Sequence, residues 1–190
     1  MATVFDITME NAQKMIFEAS NRDLTSNDFE GRVFHKLSVE TPQLDKEKTT
    51  SQIGKEIISF HNAPENISFV PGEPMEFALI MVPIKGDLEL FSMIAGYLFD
   101  RRKKYTYSNN ACYKEFGKHP ITGNEQLANE IKNNAKGFFE TIEKILNDFR
   151  VKAEKFNEEV LKPEINRIIE IERKRRDDQK KSEQQLNPFL

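Results

Sequence analysis

The stretch Arg101-Arg102-Lys103-Lys104-Tyr105-Thr106-Tyr107 carries the clearest chemistry in this sequence. Consecutive cations can neutralise phosphates and tyrosine rings can stack on bases, the combination that single-stranded nucleic-acid surfaces use. Arg101, Arg102, Lys103, Lys104, Tyr105 and Tyr107 therefore form a candidate nucleic-acid-binding patch, against the alternative of a solvated loop beside Asp100. A second basic run, Arg173 to Arg176, is balanced by Glu172, Asp177 and Asp178 and reads as a solvated helix face.

The remaining reactive side chains form no constellation. His35, His61 and His119 fall in separate segments without paired spacing. A closed zinc site needs a tetrahedral set, which only Cys112 and His119 could begin. Cys112, between Ala111 and Tyr113 in an expected strand, reads as a small buried hydrophobe. No G-x-S-x-G surrounds a serine, and neither G-x-x-x-x-G-K-[ST] nor G-x-G-x-x-G occurs. The expectation is a chain with no catalytic residue, metal or cofactor.

The element that organises the chain is its C-terminal third. Thr122 with Glu125 makes a capping box. From there Leu127, Ile131, Phe138, Ile142, Ile145, Phe149, Phe156 and Val160 recur mostly at threes and fours, an apolar seam on one helix face. At ~1.5 Å per residue, Thr122 to Leu161 would run on the order of 60 Å, longer than a small domain is wide. Part of the seam is thus expected to hold a second copy or a partner, giving a homodimer or a complex through this helix. Pro163 predicts a kink or short break before the helix resumes at Glu164. Ile165, Ile168, Ile169 and Ile171 continue the apolar pattern, and Glu172 to Gln185 has no hydrophobic residue. Helicity there rests on pairs such as Glu170 with Lys174, Glu172 with Arg176 and Asp177 with Lys181.

Upstream, two short helices are expected. Asp6 or Thr8 would cap the first, and a Thr25 to Asp28 box the second, which shows Phe29, Val33 and Leu37 on one face. Pro42 makes Val39 to Leu44 extended, and the polar Asp45 to Gln52 reads as a loop. Ile53 to Phe116 suggests a small antiparallel sheet, with strands at Ile57 to Phe60 and Phe77 to Ile84 and a pair, Tyr105 to Tyr107 with Ala111 to Phe116, across Asn109 and Asn110. Pro83 belongs at a strand end or edge. Leu88 to Phe99 is open between helix and irregular chain. The reading is an α+β domain over 1–120, with N-terminal helices and a small antiparallel sheet, followed by a long, kinked C-terminal helical arm over 121–190.

With 190 residues, a net charge of −3 and a pI near 5.8, nothing global calls for nucleic acid or an acidic membrane. One cysteine excludes an internal disulfide and fits a reducing cytoplasm, and no apolar run is long enough to span a membrane.

Several blocks, in order, resemble a family of uncharacterised prokaryotic proteins: Ser38-Val-Glu-Thr-Pro-Gln-Leu-Asp45, Phe69-Val-Pro-Gly72, Val82-Pro-Ile-Lys-Gly-Asp-Leu-Glu-Leu-Phe91, Phe156-Asn-Glu-Glu-Val-Leu161 and Glu172 to Arg176. In that family the resembling region precedes a PD-(D/E)xK nuclease-like domain typical of genome-defence systems. The resemblance implies a non-catalytic interaction, sensing or oligomerisation module associated with such a nuclease. This chain ends at Leu190, so no catalytic residue of the family is carried over. Glu172-Arg173-Lys174 spells E-x-K, but on a charged helix, whereas a nuclease presents that triplet on a strand beside a metal-binding Asp. Asn187-Pro188-Phe189 resembles a short peptide-docking motif.

Overall fold

The computed structural model describes residues 3–60, 63–64, 67–100 and 102–186, and resolves an α+β architecture. The chain forms two compact units, one of residues 41–149 and one of residues 1–40 with 150–190. The sequence reading placed its division at 120. The N-terminal helices pack on the C-terminal helix and so share a core with it.

In the first unit, β1 (Gln43–Leu44), β2 (Thr50–Ile57), β3 (Pro74–Lys85), β4 (Lys104–Tyr107) and β5 (Asn110–Phe116) form a curled antiparallel sheet in the order β1-β3-β5-β4, with β2 also paired to β3. The apolar β3 is central, as its composition demands. Pro83 is tolerated inside it because β2 pairing ends at Thr50 opposite Met81 and β1 pairing begins at Leu44 opposite Ile84. Its missing N–H falls in that gap, where its carbonyl still accepts from Asp45 N–H at 2.8 Å. Thr50 to Gln52, expected as loop, are strand: β2 flanks β3 with side chains that stay exposed there, so burial gives these polar residues no signature. Ser108 and Asn109, with φ of 44° and 63°, form the hairpin turn and set Tyr107 opposite Asn110.

One sheet face carries the core. Val82, Ile84, Ala111 and Tyr113 pack with Phe91 and Ala95 of α4 (Leu88–Ala95) and with Ile131, Ala135, Phe138, Phe139, Ile142 and Leu146 of α5 (Glu125–Phe156). Each fully buried large apolar side chain, such as Phe91 or Ile142, contributes on the order of 1.5–3 kcal/mol. The α5 cap is Asn124, whose Oδ1 accepts from Leu127 N–H at 3.1 Å. The expected Thr122 box does not form, because Glu76 takes the N–H groups of Ile121 and Thr122 at 2.8 and 2.9 Å.

In the second unit, α1 (Val4–Phe17), α2 (Asn21–Thr25) and α3 (Phe29–Leu37) replace the two expected helices. Thr3 caps α1 through a box with Asp6, while Thr8 is buried and donates to the Val4 carbonyl. Thr25 closes α2 by donating to the carbonyls of Asn21 and Arg22 rather than opening the next helix.

α5 continues through a π turn at Asn157–Leu161 into α6 (Lys162–Leu186), a kinked helical run of 62 residues. Pro163 does not break it. The wide turn, in which Lys162 N–H reaches the Asn157 carbonyl, comes just before the proline and shifts the buried face by one residue. Phe156 is therefore followed five positions later by buried Leu161, and Val160 is 46% exposed.

Candidate functional site

The sheet register divides the basic-aromatic stretch. Lys104 pairs with Tyr113, which lies on the core face, and Lys104 Nζ sits 5.2 Å from the centroid of the Phe138 ring. Lys103 Nζ lies over Tyr113 at 5.1 Å and pairs with Glu115 at 3.0 Å. Glu115 also accepts from the Tyr113 hydroxyl at 2.6 Å. Burial, with Glu115 adding to it, pushes the Tyr113 phenol above its ordinary range. Asp100 organises the bend before β4: its Oδ1 accepts from the backbone N–H groups of Arg102, Lys103 and Lys104 at 2.7–3.0 Å. Burial opposes ionisation, but together these donors hold its carboxyl below the usual range.

Tyr105 and Tyr107 point the other way. Tyr105 lies opposite Cys112, which is opposite Met81, and Tyr107 lies opposite Asn110. These residues define the outer sheet face with Phe77, Leu79, Lys114 and Phe116. The expected patch is thus corrected: Lys104 and the two tyrosines occupy opposite faces, because strand alternation separates neighbours. Arg101 lies outside the described residues.

The outer face is a row of apolar and aromatic side chains. Phe77, Leu79, Met81 and Tyr105 are half-buried, and Tyr107 is 66% exposed. Cys112 is fully buried in the row, and burial pushes its thiol up, as expected of a structural cysteine. Burial raises Tyr105 too. Lys114 Nζ lies over the rings of Phe77 and Phe116 at 4.3 and 4.8 Å and pairs with Glu56.

The seam expected to meet a partner is largely spent inside the chain. Ile131, Phe138 and Ile142 are in the core, Phe156 stacks on Phe5 with centroids 4.5 Å apart, and Leu127, Ile145 and Phe149 are half-buried. Of the seam residues, Val160 alone faces out, and the π turn is the reason. Helical periodicity finds an apolar face but cannot say which surface covers it.

In the second basic run Arg173, Lys174 and Arg175 are exposed, as read, but its acidic neighbour Glu172 is not. Glu172 is fully buried, with Arg175 Nη2 and Arg176 Nε each 2.7 Å from its Oε1 and Arg175 Nε 2.7 Å from its Oε2. Hydrogen bonds from Arg175 first and Arg176 next hold its carboxyl down to about 2, against burial. Arg176 reaches on to Asn21 Oδ1 at 2.7 Å and the Phe17 carbonyl at 3.2 Å, while Arg173 donates to the Leu24 carbonyl at 2.5 Å. The guanidinium groups thereby cap the C-terminal ends of α1 and α2. Lys181 pairs with Asp178 rather than Asp177. The E-x-K triplet accordingly lies on a helix with its carboxylate enclosed by arginines.

His119 lines a cleft of about 380 Å³ with Lys55, Glu76 and Lys118, apart from the strand that carries Cys112. His61 and Asn187-Pro188-Phe189 lie outside the described residues. Among the described residues no group of three or more His, Cys, Asp or Glu is placed to hold a metal, and no helix is long and apolar enough to cross a membrane.

No family model, curated protein or solved structure matches this chain.

Proposed function

We propose that the chain is a non-catalytic interaction and sensing module of a prokaryotic, nuclease-based defence system, and that it holds a protein partner on the outer face of its sheet. The observation that carries this reading is the row of Leu79, Met81, Tyr105 and Tyr107. These apolar and aromatic side chains stay outside the core, and aromatic residues and Met are the types enriched where proteins meet. The order of sequence blocks similar to the nuclease-associated family supports the choice of partner class. A partner, or a second copy, that also met the C-terminal helix would do so at Val151, Val160 and Ile171, which are exposed, and not on the rest of the seam.

The test is light-scattering mass of the chain mixed with a PD-(D/E)xK nuclease-like protein as the proposed partner, using the wild type and Tyr107→Asp. A complex that the substitution abolishes supports the reading. A complex insensitive to Tyr107→Asp and to Leu79→Asp overturns it.

A further inference from the structure

The short β4 leaves a notch at the edge of the sheet. Its pairing with β5 begins at Lys104 opposite Tyr113, and Lys114 N–H still reaches the Lys103 carbonyl at 2.6 Å, but β5 runs on to Phe116 with no β4 residue beside it. There the edge opens into a cleft of about 290 Å³. Arg102 and Lys103 enter it from the bend before β4, Lys114 from β5 and Lys118 from the segment that follows. Phe116 and Ile67 give it an apolar wall, and the carboxylates Glu115 and Glu130 line it as well. Lys103 and Lys114 bring carboxylate partners, Glu115 and Glu56, whereas Arg102 and Lys118 have none among the described residues. In a chain of net charge −3, the cleft thus offers two cations without a carboxylate partner beside an apolar wall.

We propose that this notch binds single-stranded nucleic acid. Phosphates meet Arg102 and Lys118, and an unpaired base lies against Phe116 and Ile67. A duplex hides its bases and offers phosphates on a convex surface, so it cannot use the apolar wall, while an unpaired strand can place base and phosphate together. The residues differ from the linear stretch 101–107: Tyr105 and Tyr107 take no part, and Lys118 and Phe116 do. The inference goes beyond the partner reading and does not depend on it.

The experiment is fluorescence anisotropy of a labelled oligothymidylate strand over a salt series. The wild type is expected to bind at low salt, more tightly than it binds a duplex of the same length, thymidine monophosphate or a polyglutamate peptide. Arg102→Ala with Lys118→Ala should weaken binding at least about tenfold and reduce the log–log salt slope by about 1.4, at ~0.7 per single-strand phosphate contact. Glu130→Gln, which removes a repelling carboxylate without removing a contact, should tighten it. Tyr105→Ala with Tyr107→Ala should leave it unchanged. Absence of strand binding at low salt, an unaltered slope in the double variant, or equal affinity for the duplex, the mononucleotide or the peptide would overturn the proposal.

Discussion

Asn157 and Val39 exchange two hydrogen bonds, Val39 N–H to Asn157 Oδ1 at 3.0 Å and Asn157 Nδ2–H to the Val39 carbonyl at 3.1 Å. A side-chain amide in the π turn thus imitates a strand neighbour for the backbone that leaves α3. Asn157→Ala would leave both backbone groups of nearly buried Val39 without these partners, a loss of about 1–3 kcal/mol in thermal or denaturant unfolding. Asn157→Asp should do no better, since it keeps the acceptor but sets a carboxylate against a carbonyl.

The π turn makes a prediction about length. Phe156 and Leu161 are both buried five positions apart, so deleting Glu159 would return the spacing to an ordinary helical four and leave both faces in register. Deleting Lys152, one turn before the wide turn, would rotate Ala153 and Phe156 out of the core. Melting temperatures should fall far less for the first deletion than for the second.

Much of this architecture was legible in the sequence. The β3 run, the hairpin and the long helix announced themselves through apolar runs, turn residues and periodicity. The rest was hidden for identifiable reasons. Thr50 to Gln52 are strand without apolar alternation because those side chains stay exposed. Val160 left the seam because one extra residue in a helical turn has no composition signature. At the candidate site, the residues of Arg101 to Tyr107 looked like one patch because the expected strand began at Tyr105 and left Lys104 in the preceding loop, whereas β4 starts at Lys104 and sets it on the face opposite the tyrosines, and Lys118 joins Arg102 only through the fold. Glu172 looked like a surface charge because the arginines that bury it are ordinary helix-surface residues on paper.

Glu172 sets an acid sensitivity. Its folded carboxyl lies at about 2, below the ordinary 4.5, so the stability it contributes is present above about 4.5 and is lost as pH falls through its folded value. Glu172→Ala should cost roughly 1.5–3 kcal/mol at neutral pH, because it removes the charge-assisted hydrogen bonds of Arg175 and Arg176, while Arg175 stays open to water and Arg176 keeps Asn21 and the Phe17 carbonyl. Denaturant unfolding at neutral pH and near pH 2 should show the gap between wild type and Glu172→Gln shrinking at the acid end.

Two glycines should respond in opposite directions. A Cβ on Gly117 would lie 2.4 Å from the His119 carbonyl oxygen and 2.7 Å from Ile121 Cγ1, in the connection that Glu76 fastens to the sheet. Gly117→Ala should therefore destabilise by about 1–3 kcal/mol. Gly137 lies inside α5 with nothing within 4 Å of a built Cβ, so Gly137→Ala should stabilise by roughly 0.5–1 kcal/mol. Unfolding midpoints of the two variants read both effects.

The most direct test of the partner reading is hydroxyl-radical footprinting of the chain alone and with the proposed nuclease partner. Met81 and Tyr107 should lose reactivity in the complex, while Tyr97, 73% exposed on the turn after α4, serves as the unchanged reference. Unchanged Met81 and Tyr107, with protection confined to Val160 and Ile171, would contradict the account and move the partner to the C-terminal helix.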